Sequence, residues 1–496
     1  MQKIGFDNDK YLKTQSKHIE DRIEKFHGKL YLELGGKLFD DYHASRVLPG
    51  FQPDSKIKML LHLADRSEIV IAINACDIEK NKVRSDIGIA YDQDVIRLIN
   101  AFSNMGLYVS SVVMTQYSGQ FAADVFKKKL TNLGINVYLH YPIVGYPNNI
   151  DFIVSDDGYG RNEYVKTTKP LVIVTAPGPG SGKLATCLSQ LYHEHKRGIL
   201  AGYAKFETFP IWNLPLKHPI NLAYEAATAD LNDLNMIDPF HLEAYGEMTV
   251  NYNRDVEAFP LLRAILEQIL GKSPYNSPTD MGVNMAGYCI IDDEVVQEAA
   301  KKEIVRRYYK VSCDKAMGLV GESAVIKAES IMKQAGVSSD SRPVVKAALD
   351  KSKMANAHAV AIELQDGKIV TGKTTELLGS VSAALLNAMK IMAGIPDEVP
   401  LLAQSVIEPI IKLKREIFNA ASSHLDSNEM LIALSSCAVM NPQAALALRK
   451  IINLKGTELH SSVMLCEEDE QVLKKLGVNY TCEPIYRTKI HINNSI

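Results

Sequence analysis

This 496-residue chain predicts an α/β fold, a mostly parallel sheet with helices on both faces. Three observations predict it. Strand-like and helical stretches alternate from about residue 67 to residue 202. The strand-like stretches are continuous apolar runs, as in strands buried on both faces. One of them, within PLVIVTAPGPGSGKLAT (residues 170–186), runs into a glycine-rich loop, a lysine and a helical pattern. The parts expected are an α/β domain over residues 1–275 containing a phosphate-loop-like segment at 171–197, a helical subdomain at 276–355, and a smaller α/β domain at 356–496.

The elements follow in order. Residues 11–28 read as an amphipathic helix ending at Gly28. KLYLEL-GG-KLFDDY reads as a hairpin, with Gly35-Gly36 supplying the positive φ angles of a tight turn. SEIVIAINAC, LYVSSVVMTQ, INVYLHYPIV, DFIVS, PLVIVTA and ILAGYAKF read as strands, and DQDVIRLINAFSNMG, FAADVFKKKLTNLG and residues 184–197 as helices. The run ETFPIWNLPLKHP carries three prolines and the only tryptophan, Trp212. It is expected either to cover the phosphate loop or to pack on the sheet or a neighbouring subunit. NLAYEAATADLNDLNMID reads as helix. GKSPYNSPTDMGVN, rich in turn formers, reads as a domain boundary, and residues 292–355 read as helical. Beyond Ala357 come a hairpin at Asp366-Gly367, an apolar helix in LLGSVSAALLNAMKIMAG, further helices, and the closing strand–helix–strand TELHSSVMLC, EEDEQVLKKLG, VNYTCEPIY.

Strand, glycine-rich loop, lysine and helix is the order of parts that cradles phosphate. Loop amides and the positive helix end face the anion, and the lysine adds a charge. The literal pattern G-x-x-x-x-G-K-[ST] fails here, because Pro177 replaces the first glycine and Leu184 the magnesium-binding hydroxyl. A literal match lies at Gly367, Gly372, Lys373 and Thr374, but Asp366-Gly367 there is a hairpin turn between two strand-like runs. The imperfect match ranks higher because the mechanism needs the strand–loop–helix context. Gly178, Gly180, Ser181, Gly182, Lys183 and Thr186 are the expected ligand-binding residues. The alternative is an ordinary Gly/Pro connection with a solvated lysine.

Composition excludes several classes. Hydrophobic residues make up 46% and charged residues 23%, ordinary for a globular protein. A net charge of −3 gives no electrostatic case for nucleic acid or an anionic membrane. Seven scattered cysteines, none spaced C-x-x-C, read as reduced buried thiols. The polar N-terminus MQKIGFDNDK predicts no signal peptide, and no apolar run approaches membrane-spanning length. A cytoplasmic location and assembly as a homo-oligomer are expected.

Other constellations carry weaker readings. Asn221, Glu225 and Thr228 share one face of the NLAYEAATADLNDLNMID helix, and Asp230 and Asp233 another edge. A phosphate loop lacking the hydroxyl after its lysine needs Mg²⁺ held elsewhere, so Asp230 and Asp233 are the candidate metal ligands. A solvated acidic face is the alternative. Asp40, Asp41, His43 and Arg46 form either an acid–base and anion-binding cluster, with His43 catalytic, or a salt-bridged turn. His193 and His195 fall in a last helical turn, where cations suit the helix end. Lys205 and Glu207 follow a strand end; Asn74, Asp77 and Asp156-Asp157-Gly158 lie at others.

Several stretches together resemble one family: GFDNDKYL, LGGKLFDDYHASRVLPGF, TAPGPGSGKLATCLSQLYHEHKRG, AGYAKFETFPIWNLPLKHPINLAYEAATADLND and SPTDMGVNMAGYCI. They look like the bacterial uncharacterised protein family 0371, also described as domain of unknown function 1846. The resemblance covers essentially the whole chain. It implies a bacterial cytoplasmic protein of several α/β and helical subdomains, and it carries over no catalytic residue.

Three functions remain in view. The first is an ATP- or GTP-dependent enzyme transferring a phosphoryl or nucleotidyl group to a small molecule, with Lys183 on the phosphates and Asp230, Asp233 or Asp77 holding Mg²⁺ or acting as base. The second binds a phosphorylated metabolite without nucleotide. The third is a non-catalytic ligand-binding or scaffolding oligomer.

Overall fold

The structure, a computed structural model, describes residues 3–36, 38–39, 41–84, 88–231, 233–420 and 422–486. The chain forms two compact units, one of Lys3–Tyr224 and Asp233–Ala300, the other of Glu225–Asn232 and Lys301–Ile496.

The first unit is built on a seven-stranded sheet. Its strands in chain order are β1 (Leu30–Leu34), β2 (Ser67–Asn74), β3 (Val109–Thr115), β4 (Asn136–Leu139), β5 (Leu171–Thr175), β6 (Gly202–Phe206) and β7 (Gly282–Val283). Spatially they run β7-β6-β1-β5-β2-β3-β4, and every pairing is parallel. All residues of β5 are buried, as are all but the last of β2. Helices Tyr91–Asn104, Phe121–Asn132 and Lys183–Lys196 flank the sheet, and Lys183–Lys196 packs against β1, β5 and β6. The chain builds outward through β2, β3 and β4, then returns to insert β5 between β1 and β2. That reversal opens a crevice beyond the carboxyl ends of the central strands, the usual ligand position in such sheets.

Three local expectations are corrected. The hairpin at Gly35-Gly36 does not form. β1 pairs in parallel with β5 and β6 instead, and Leu38 and Phe39 are not strand. DFIVS forms a short helix, Ile150–Ile153, because the Asn149 carboxamide oxygen caps the Phe152 amide at 3.2 Å. NLAYEAATADLNDLNMID is broken into a helix, Pro219–Ala227, a 3₁₀ turn, Ala229–Leu231, and a strand, Asn235–Ile237, which pairs with Val250–Tyr252.

The second unit has its own mixed sheet of β8 (Ala359–Glu363), β9 (Ile369–Lys373), β10 (Glu458–Ser461) and β11 (Asn479–Cys482), ordered β9-β8-β10-β11. β8 and β9 are the antiparallel hairpin expected around Asp366-Gly367, with Gly367 at φ +83°. The literal phosphate-loop pattern is thus turn and strand. A Cβ on Gly372 would stand 2.2 Å from the Ala384 amide nitrogen, so that glycine serves strand–helix packing. Among the described residues no helix is long and apolar enough to cross a membrane.

Candidate functional site

The site grows from the end of β5. Residues 176–182 leave the strand and deliver the chain to the helix Lys183–Lys196, whose N-cap is Gly182 at φ +87°. A side chain is excluded there twice over. The backbone is left-handed, and a Cβ would lie 2.8 Å from Thr115 Cγ2 and Oγ1. Gly178 is required on the second count alone, since its Cβ would fall 2.2 Å from the Tyr91 hydroxyl.

The loop is anchored through its carbonyls. Thr115 Oγ1 donates to the Ser181 carbonyl at 2.8 Å, and Asn74 Nδ2 to the Gly180 carbonyl at 3.3 Å. Ser181 Oγ donates to the Gly178 carbonyl and Thr186 Oγ1 to the Gly182 carbonyl, each at 2.9 Å. The amides are left over. Among the described residues no acceptor takes the N–H of Gly178, Gly180, Ser181, Gly182 or Lys183. The Lys183 ammonium, half-buried, likewise makes no hydrogen bond or ion pair among the described residues.

Three of these residues, Gly180, Gly182 and Lys183, border a cavity of about 450 Å³. Gly180, Gly182, Lys183, Leu184 and Ala185 line it on the loop side, and Glu33, Asn74, Thr115 and Gln116 line it from the ends of β1, β2 and β3. Gln116 holds φ +53°, an uncommon conformation for a residue with a side chain. Tyr203 Oη donates to Glu33 Oε2 at 2.8 Å, which fixes the only carboxylate among the lining residues. The far wall is His140, Tyr141, Ile143, Tyr146, Tyr159 and Asn162. Asn162 is fully engaged: its Oδ1 accepts from the Tyr141 amide at 2.8 Å, and its Nδ2 donates to Ser189 Oγ at 3.1 Å.

Of the residues expected to bind ligand, Gly180, Gly182 and Lys183 line the cavity. Gly178 and Ser181 shape the loop, and Thr186 is buried with its hydroxyl on the Gly182 carbonyl. The other candidates lie elsewhere. Asp230 is exposed in the second unit. Asp233, in the first unit and 3% exposed, is ion-paired with Arg254, whose Nε and Nη2 lie 2.6 Å from its two oxygens. Neither lines the cavity, and among the described residues no cluster of three or more His, Cys, Asp or Glu is placed to hold a metal ion.

Asp41 is paired with Lys56 at 2.9 Å and caps the Ala44 amide at 3.2 Å; the lysine holds its carboxyl below the usual range despite burial. His43 stands edge-on to Phe209, ring centres 5.2 Å apart. These two do not line the cavity, and Asp40 lies outside the described residues. Asp77 pairs with Lys82 at 3.2 Å. The Trp212 segment packs on the sheet, because a Cβ on Gly282 of β7 would meet the indole at 2.4 Å.

A second polar cluster forms where β6 ends. Lys205 Nζ lies 2.8 Å from Glu207 Oε1 and also bonds Asp255, while Tyr252 Oη donates to Glu207 Oε1 at 3.0 Å. Burial pushes the Glu207 carboxyl up to about 7, Lys205 opposing and Asp255 reinforcing the shift. The same two carboxylates hold Lys205 protonated.

Sequence reasoning missed Glu33, Gln116, His140 and Tyr159. Two left a readable signal: Glu33 is an acid in the otherwise apolar strand LYLEL, and His140 directly follows β4.

Comparison with known proteins matches residues 4–336 to the family described as "Domain of unknown function DUF1846, N-terminal". Residues 340–491 match "Domain of unknown function DUF1846, C-terminal". A UPF0371 protein of Streptococcus pneumoniae serotype 2 (strain D39) is 56% identical over 487 residues, covering 98% of this chain and 99% of the relative. A UPF0371 protein of Streptococcus thermophilus (strain CNRZ 1066) is 55% identical over the same length and coverage. With both family regions matched and relatives this similar along their whole length, the chain belongs to the DUF1846 family, the UPF0371 proteins.

Proposed function

We propose that this protein binds a phosphate-bearing small molecule in the cavity beyond β1, β5 and β2, and acts on it as a cytoplasmic enzyme. One observation carries the reading. Gly180, Gly182 and Lys183, whose amides have no partner among the described residues, line one cavity together with the Lys183 ammonium, which has none either. Hydrogen bonds between such donors and an ionised oxygen are worth about 1.5–3 kcal/mol each. The carbonyl-side anchoring by Thr115 and Asn74 holds the amides in place, so little ordering is required on binding. A cavity of about 450 Å³ suits a ligand of metabolite size.

The nucleotide reading, ATP or GTP with Mg²⁺ and phosphoryl or nucleotidyl transfer, is favoured by Glu33, a fixed carboxylate at the same cavity. Leu184, at the position of the magnesium-binding hydroxyl, argues for the metal-free alternative. Titration calorimetry with ATP, GTP and sugar phosphates, each with and without Mg²⁺, separates the two. Affinity that requires Mg²⁺ selects the nucleotide enzyme, and affinity indifferent to it selects the phosphorylated metabolite. If none of these ligands binds, the proposal is wrong.

A further inference from the structure

We infer that Tyr159 and His140 determine specificity at this cavity, selecting a phosphate monoester whose body is a neutral ring carrying hydroxyl or ring N–H donors. The inference rests on the phosphate-binding reading above and adds the chemistry of the rest of the ligand.

Tyr159 is 0% exposed and lines the cavity wall. Its hydroxyl is buried and has no hydrogen-bond partner among the described residues. A buried hydroxyl left unsatisfied costs about 1–3 kcal/mol, and such groups are rare in folded proteins. Among the described residues of the far wall, Tyr159 alone carries a buried side-chain polar atom with no hydrogen-bond partner. Asn162 next to it spends both its oxygen and its nitrogen on protein partners.

His140 supplies the complementary group. Its Nε2 lies 3.2 Å from the Glu163 carbonyl oxygen. A carbonyl only accepts, so Nε2 carries the hydrogen and Nδ1 presents a lone pair. No described residue donates to that lone pair. Burial, with the neighbouring His193 adding to it, pushes the imidazole down to about 4, so the ring stays neutral at physiological pH.

The two ends of the cavity therefore ask for different chemistry. The loop end offers amides and an ammonium and asks for an anion. The far end is walled by the neutral imidazole of His140, by Tyr159 with its unpartnered hydroxyl, and by Tyr141 and Tyr146, with no cationic side chain among its lining residues. A second anionic group there would meet a neutral imidazole and lie in the same cavity as the Glu33 carboxylate. A neutral ring with donor groups satisfies His140 Nδ1 and Tyr159 and stacks on the tyrosines. Sugar phosphates and nucleoside monophosphates share this chemistry.

The test is calorimetry on the full chain with four probes: inorganic phosphate, ribose 5-phosphate, adenosine 5′-monophosphate and 3-phosphoglycerate, whose body carries a carboxylate. Wild type is expected to bind at least one of the two ring phosphates about tenfold more tightly than 3-phosphoglycerate. Tyr159→Phe is expected to lose about tenfold for that ring phosphate, keep its affinity for inorganic phosphate, and melt at the same temperature or higher. His140→Gln, which alters the acceptor, is expected to lose the same preference. Ribose 5-phosphate and the nucleotide distinguish sugar from base as the preferred ring. Unchanged ring-phosphate affinity in Tyr159→Phe, with inorganic phosphate still binding through Lys183, overturns the inference and spares the phosphate site. Failure of all four probes to bind the wild type removes both.

Discussion

Thr115, the last residue of β3, donates its hydroxyl to the carbonyl of Ser181 at 2.8 Å, and its methyl would stand 2.8 Å from a Cβ on Gly182. One side chain thus ties a strand end to the loop and holds that loop too close for any residue but glycine. The carbonyl of Ser181 is turned toward the sheet, and the amides around it have no acceptor among the described residues.

Thr115→Val keeps the shape and removes the tether. The expected cost is about 1 kcal/mol of stability, the worth of one neutral hydrogen bond, plus the penalty of an unsatisfied buried carbonyl. Urea denaturation reads it. Phosphate affinity is expected to fall with it, because the amides lose their fixed aim.

Gly182→Ala meets both a left-handed backbone and the Thr115 side chain. The expected destabilisation is about 2 kcal/mol. Gly180→Ala is the control. Its φ is +76°, but nothing lies within 4 Å of its Cβ, so it is expected to cost about half as much. Equal denaturation midpoints for the two variants would contradict the close-packing account.

Arg254→Ala leaves the buried Asp233 carboxylate without its ion pair. A loss of about 2 kcal/mol is expected, with no change in phosphate affinity, because neither residue lines the cavity. Asp233→Asn tests the other partner. Loss of ligand affinity in that variant, with the fold intact, would return Asp233 to the functional residues.

Glu207 sets a pH dependence. Its folded pKa of about 7 stands above the ordinary 4.5, so the folded state holds the proton more tightly than the unfolded chain. This group's contribution to stability is full below about pH 4.5 and is lost as pH rises through about 7. Glu207→Gln carries no titrating proton, so its stability is expected to decline less than that of wild type across this range. Parallel stability–pH curves for the two proteins would contradict the shift.

The central strand–loop–helix was legible because its signals are local. An apolar β-branched run, paired prolines and glycines, and a lysine opening a helical period all lie within residues 170–196. The hairpin at Gly35-Gly36 misled because a two-glycine turn between apolar runs is locally valid. What overrode it was the pairing of β1 with β5 and β6, strands more than 130 residues downstream. His140 and Tyr159 were hidden for the same reason. One follows β4 and the other sits on a 3₁₀ turn, Tyr159–Arg161, and only the sheet order brings both to the end of the loop. Asp233 looked like a helix-face acid because the helix was drawn too long. The chain breaks after Ala227, and Arg254, 21 residues on, takes the carboxylate.

The most direct measurement is calorimetric titration of wild type and Lys183→Ala with the tightest-binding phosphate ligand. The ammonium makes no hydrogen bond or ion pair among the described residues, so the variant is expected to fold with an unchanged melting temperature. Its affinity is expected to drop at least tenfold, the loss of one charge-assisted contact. Equal affinity in the two proteins would contradict the phosphate site at its root.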